Sequence, residues 1–182
     1  MTDATPQTSG QELTGHESSG VDAEEKDLIY QRILVPVDFS DHSKTTVAYA
    51  RRIAVKNDST IYLLHVFQAP DYVVTPYTRR AQNSAEIRAQ VSAAEQDARE
   101  NLEILRQELL GRGVKTEAIL RIGYPFEEIV LVANHFNVDL IVIGSHGRSS
   151  IRRLLLGKTA ERVVEHADCP VLVVKGSRAQ LE

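Results

Sequence analysis

From Arg32 onward, short uninterrupted apolar runs alternate with longer stretches whose apolar residues recur every three or four positions. Ile33-Leu34-Val35-Pro36-Val37 reads as a strand buried on both faces, because a strand with one wet face would alternate instead. A helix is predicted over roughly Ser43–Lys56, with Val47, Ala50, Ile53 and Ala54 inward. Ile61-Tyr62-Leu63-Leu64-His65-Val66 is the second strand. A long connection follows over 67–82, with Pro70, Pro76, Tyr72, Tyr77 and Arg79-Arg80. It reads as a moving or partner-facing element or, equally, as a passive surface loop.

A long helix is predicted from about Asn83 to Leu110. Ile87, Val91, Ala94, Ala98, Leu102, Leu105 and Leu109 form its apolar face, and Gly111 and Gly113 stop it. Lys115–Ile122 is a third, less apolar strand. Gly123-Tyr124-Pro125 turns into a helix that runs to about Phe136, with Pro125 in its first turn. Val138–Ile143 is the fourth strand, a helix runs from about Thr159 to His166, and Val171-Leu172-Val173-Val174 is the fifth strand. The order βαβαβαβαβ, with buried strands and long crossovers, predicts an α/β protein with an open, mainly parallel sheet and helices on both faces.

Residues 1–28 break this pattern. They are polar, and Asp3, Glu12, Glu17, Asp22, Glu24, Glu25 and Asp27 stand against Lys26, a net charge of −6. Such a segment buries too little apolar surface to offset its ordering entropy, so a disordered acidic tail is expected, followed by one domain over 29–182. The tail is either a solvated extension or a partner-binding arm. Since the whole chain carries −4, the remainder carries about +2. That near-neutrality argues against a nucleic-acid face. No apolar run is long enough for a membrane span and no basic-then-apolar leader is evident, so a cytoplasmic protein is expected. The single cysteine, Cys169, excludes an internal disulfide and is expected to be a buried structural thiol.

The candidate chemistry gathers at predicted strand ends. In open α/β sheets, ligands sit outside the carboxyl ends of strands, where strand order reverses. Val37-Asp38-Phe39-Ser40 follows the first strand, His65-Val66 ends the second, and Gly144-Ser145-His146-Gly147-Arg148 follows the fourth. If the first and fourth strands are neighbours at the reversal, these pieces share one crevice. Glycines admit close backbone approach, and turn and helix-terminal amides favour anions. Gly144, Gly147 and the later Gly157-Lys158-Thr159 therefore read as a phosphate cradle, to which Arg148 and Lys158 add charge. Asp38 can accept bonds from a ribose or adenine, or can N-cap the first helix region, with Ser40 and Asp41 nearby. His146 is either a ligand contact or a solvated or packed loop residue. A P-loop is excluded, because its first glycine would fall at Arg152, and the dinucleotide fingerprint is missing after the first strand.

At these residues the chain resembles the universal stress proteins, in particular the UspA-like nucleotide-binding members with the signature G-x2-G-x9-G-[ST]. Gly144, Gly147 and Gly157 stand at that spacing, while Lys158 occupies the Ser/Thr position and Thr159 follows it. Ile33–Ser40, Leu63–Val66, Gly123-Tyr124-Pro125, Val138–Arg148 and Cys169–Val174 extend the resemblance over roughly residues 30–176. The resemblance implies a Rossmann-like fold, close to the adenine-nucleotide alpha hydrolases, with strand order 3-2-1-4-5. It also implies homodimers through strand 171–174 and binding of ATP or AMP, with or without Mg²⁺. Adenine and ribose would meet Pro36, Val37, Asp38 and Val66, with Ser40 beside them, and Ile143-Gly144 would face the ribose. Phosphates would lie on Gly147, Arg148, Gly157, Lys158 and Thr159, with His146 alongside.

The leading expectation is thus a regulatory, nucleotide-binding dimeric module of the stress response, not an enzyme, with a protein partner of unknown kind. Two alternatives stand beside it. One is a slow ATPase on the same fold, against which H-x-G-H and S-G-G-x-D-S motifs are missing and no paired carboxylates mark a Mg²⁺ site. The other is a dimeric interaction module that no longer binds nucleotide, for which Lys158 is the sequence support.

Overall fold

The computed structural model describes residues 30–68, 85–146 and 156–175; the acidic tail, most of the 67–82 connection and the candidate residues Gly147 and Arg148 lie outside them. In chain order the elements are β1 (Arg32–Pro36), α1 (Asp41–Asn57), β2 (Thr60–Phe67), α2 (Ala85–Gly111), β3 (Thr116–Ile122), α3 (Pro125–His135), β4 (Leu140–Gly144), α4 (Lys158–His166) and β5 (Val171–Val174). The strands form one sheet in the order β3-β2-β1-β4-β5, and every pairing is parallel. The expected α/β architecture and strand order are therefore present.

The apolar runs of β1 and β4 are buried on both sides, as their composition predicts, whereas β5 at the sheet edge is only partly buried and Leu172 is exposed. Residues of β1 alternate between two cores. Ile33 and Val35 join Ile61, Leu63, Leu140 and Val142 beneath α1 and α2. Leu34 joins Leu64, Ile141 and Ile143 beneath α3 and α4. β1 has β2 on one side and β4 on the other, and its Ile33, Leu34 and Val35 are fully buried. β3 is an edge, and its polar residues keep it wet, with Glu117, Ala118, Arg121 and Ile122 exposed. Charged side chains on such an edge discourage unwanted pairing.

Several boundaries differ from the sequence expectation for identifiable reasons. α1 starts two residues before Ser43, because Ser40 is its N-cap and its hydroxyl accepts from the Ser43 amide. β4 starts at Leu140. The Val138 amide bonds back to Ala133 O at 2.8 Å, and the Asp139 carboxylate accepts from the amides of Gln31 and Arg32. α2 is ~40 Å long at helical rise, whereas β2 beside it spans only ~26 Å, so about a third of the helix overhangs the sheet. Ala98, Leu102 and Leu109 are buried as expected, but Ala94 is exposed. α2 ends in a Schellman turn: Gly113 has φ +78°, Gly113 N bonds Leu110 O, and Val114 N bonds Leu109 O.

Cys169 is partly rather than fully buried, at the margin of the α3–α4 core. Burial, helped by nearby Asp139, pushes its thiol pKa up. Because the thiolate is the nucleophile, iodoacetamide near pH 8 is expected to modify Cys169 more slowly in the folded chain than in denaturant, as followed by mass spectrometry.

Candidate functional site

β1 and β4 are adjacent in the sheet. The chain leaves β1 into α1 on one face and leaves β4 towards α4 on the other. This is the reversal point at which an open α/β sheet parts its helices and leaves a crevice at the strand carboxyl ends. The pieces expected to converge do so topologically: Pro36–Asp38 ends β1, Val66 lies near the end of β2, and Gly144 ends β4.

The turn after β1 is held by a short polar network. Val37 N bonds Leu64 O at 2.8 Å, which keeps the chain on β2 for one residue beyond the strand. Asp38 then turns its carboxylate back towards α1. Its Oδ1 accepts from Ser40 N at 3.1 Å, Ser40 Oγ at 2.6 Å and Ser43 Oγ at 2.5 Å, while Asp38 N donates to Ser43 Oγ at 2.9 Å. Asp38 is therefore not the N-cap of α1; that place is taken by Ser40, and Asp38 buttresses it by accepting from Ser40 and Ser43. Phe39 adopts φ +61°, a left-handed conformation that non-glycine residues rarely take. Its ring lies against His65 at 4.5 Å, and His65 Nδ1 is 2.7 Å from Val37 O. Asp38→Ala removes a charged acceptor from three donors. We expect a cost of about 1–2 kcal/mol, reduced by partial exposure, read as a lower melting temperature without ligand.

The turn after β4 is held by backbone. Ser145 N bonds Val174 O at 2.8 Å, and Gly157 N bonds Ser145 O at 2.8 Å, so Gly157 lies against the residue that follows β4. A Cβ at Gly157 would lie 3.1 Å from Ser145 O, and one at Gly144 would lie 3.1 Å from Thr46 Oγ1. Thr46 is almost wholly buried in α1 and bonds His42 O. Both glycines are therefore tightly placed against the protein itself, besides any approach of a ligand, and a side chain at either would push its neighbour by a few tenths of an ångström.

Gly157 is the N-cap of α4 without a side-chain cap, and the helix starts at Lys158. The first-turn amides of such a helix have no intrahelical partners and carry partial positive charge. Lys158 is exposed, Thr159 is half-buried and Ala160 is buried. His146 has its Nδ1 2.9 Å from Ser145 Oγ, and its Nε2 is buried with no hydrogen-bond partner among the described residues.

Of the residues expected from sequence, Pro36, Val37, Asp38, Ser40, Val66, Ile143, Gly144, His146, Gly157, Lys158 and Thr159 lie at or beside strand carboxyl ends or at the start of α4. Ser43, Thr46 and Ser145 were not foreseen. Ser43 stands three residues after Ser40, a spacing that hints at helix capping. The other two have no local signal.

The parallel sheet and the reversal of its strand order define a doubly wound α/β protein. Residues 29–175 match the model of the universal stress protein family, and the chain belongs to that family. It is 36% identical over 148 residues to universal stress protein MJ0531 of Methanocaldococcus jannaschii, covering 81% of this chain and 83% of that one. The solved structure of MJ0577 superposes with a TM-score of 0.71 at 29% identity, covering 84% of this chain and all of that one. The universal stress protein of Archaeoglobus fulgidus in complex with dAMP superposes with a TM-score of 0.56 at 24% identity, covering 81% of this chain and 100% of that one.

Proposed function

We propose that this chain binds an adenine nucleotide, ATP or AMP, in the crevice between the carboxyl ends of β1 and β4, and that it works as a regulatory module and not as an enzyme. The observation that carries the reading is the bond from Gly157 N to Ser145 O, which seats the uncapped start of α4 beside the end of β4. An anion there would meet oriented amides at a strand reversal. The dAMP complex of the Archaeoglobus fulgidus relative supports adenylate as the ligand class.

In this reading Pro36, Val37, Asp38, Ser40 and Val66 take the adenosine, and Ile143 and Gly144 face the ribose. Gly157, Lys158 and Thr159, with Gly147 and Arg148, take the phosphates, and His146 lines them. The half-buried Thr159 takes the hydroxyl-donor role in place of residue 158, while the exposed Lys158 supplies charge. Any Mg²⁺ arrives on the phosphates, since no cluster of three metal-binding side chains occurs among the described residues.

We further propose a homodimer through β5, whose outer edge has no partner strand among the described residues and whose Leu172 is 38% exposed. We place the protein in the cytoplasm, acting in the stress response. Among the described residues no helix is long and apolar enough to cross a membrane.

Purified protein should release an adenine nucleotide on denaturation, or bind ATP or AMP in a calorimetric titration. If it does neither, the reading is wrong.

A further inference from the structure

α1 and α2 cover the same face of the sheet without closing over it. Between them runs a groove of about 380 Å³. Its floor is apolar, formed by Val37, Val47, Leu105 and Leu109. At its rim Ile104 is 66% exposed, a large apolar side chain left in water beside an apolar floor. The rim is also charged. Lys44, Arg51 and Arg112 stand against Glu108, a net of about +2 (three cations less one acid). Lys44 is paired with Asp41 and Arg112 with Glu108. Arg51 makes no ion pair among the described residues and is only half-exposed.

We propose that this groove is the docking site of the chain's own acidic N-terminal segment, residues 20–29. Three observations point to this occupant. The first is position. Tyr30, the first described residue, packs against the core layer beneath α1 and α2, and its carbonyl accepts from Ser59 Oγ. The chain therefore enters the fold in the layer that floors the groove. The second is length. α1, which forms one wall, is ~26 Å long at helical rise, and ten extended residues reach ~33 Å, so 20–29 spans the groove. The third is chemistry. Asp22, Glu24, Glu25 and Asp27 supply four acids against Lys26, opposite in sign to the rim, and Val21, Leu28 and Ile29 supply apolar side chains for the floor. Arg51 is the cation such a segment would neutralise, and Ile104 the side chain it would cover. The proposal stands apart from the nucleotide reading and survives its failure, although the groove ends on Ser40 and Ser43, the hydroxyls that hold Asp38.

The test uses the full chain with Cys169→Ser and a nitroxide attached at Ala23→Cys. Amide signals of 44–51 and 101–112 should be lost to paramagnetic broadening, while those of α3 and α4 persist. Signals should return in about 0.5 M salt, where the Debye length falls to a few ångströms. They should also return on Arg51→Glu and, with no change of charge, on Ile104→Ser at its exposed position. No broadening, or broadening centred on α3 or α4, overturns the proposal. So does broadening that appears only when spin-labelled unenriched protein is mixed with isotope-labelled unmodified protein, because the occupant is then the tail of a second copy. Persistent broadening in all three release conditions also overturns it.

Discussion

In calorimetric titration, Gly157→Val is expected to bind adenine nucleotide ~100-fold more weakly than the parent chain, a loss of about 2.7 kcal/mol. The reason is geometric. A Cβ at residue 157 falls 3.1 Å from Ser145 O, and that oxygen is backbone, anchored through Ser145 N to Val174 O at 2.8 Å. The turn must therefore move, and with it the 2.8 Å bond from Gly157 N to Ser145 O. The first-turn amides of α4, which are the proposed phosphate donors, would swing away from the end of β4. Ala160 and Val163 keep their packing in the α3–α4 core, so the variant should stay folded. Lys158→Ala makes the contrast, because its exposed side chain offers charge but no turn geometry. Its loss should cost about 1 kcal/mol or less at low salt. Parent-like affinity in Gly157→Val would move the phosphate site away from α4.

The buried strands were legible because a doubly covered parallel strand has a composition that few other elements share. Ile33–Val35 and Ile61–Leu64 are such runs, and their burial follows from it. What the sequence hides is competition between locally equivalent choices. Asp38, Ser40, Asp41 and Ser43 are all able to cap a helix, and the choice falls on Ser40 because Asp38 and Ser43 bond to each other across it. The fourth strand loses Val138 and Asp139 because they serve the preceding helix end and the amides of Gln31 and Arg32. The Asp139 contacts reach across more than a hundred residues, so no window of sequence contains them. Ala94 keeps the helical period and yet faces water, since periodicity reports a helix face but not how far the sheet beneath it extends. The glycine spacing was visible, but its cause is partly internal. Thr46 Oγ1 and Ser145 O crowd Gly144 and Gly157 through tertiary contacts that motif spacing leaves unstated.

Leu34→Ala should lower stability by about 2–5 kcal/mol, the range for deleting a fully buried leucine side chain. Leu34 is 0% exposed, pairs in register with Tyr62 on one side and Ile141 on the other, and packs with Leu64, Ile141 and Ile143 beneath α3 and α4. A cavity there is walled by strands on both sides and cannot close without shifting them. A domain of this size holds about 5–15 kcal/mol in total, so one substitution removes a large share. The melting temperature should fall by roughly 5–15 °C, whereas Leu131→Ala, at an exposed position, should change stability by no more than about 0.5 kcal/mol. Ligand then distinguishes a local cavity from a damaged crevice. Nucleotide at ~100 times its Kd returns about 2.7 kcal/mol to any chain that binds it unchanged. If the cavity stays local, parent and Leu34→Ala gain the same stability from ligand. If β1 and β4 shift with it, the carboxyl ends that carry Asp38 and Gly144 move apart, and the variant's gain shrinks while the parent's does not.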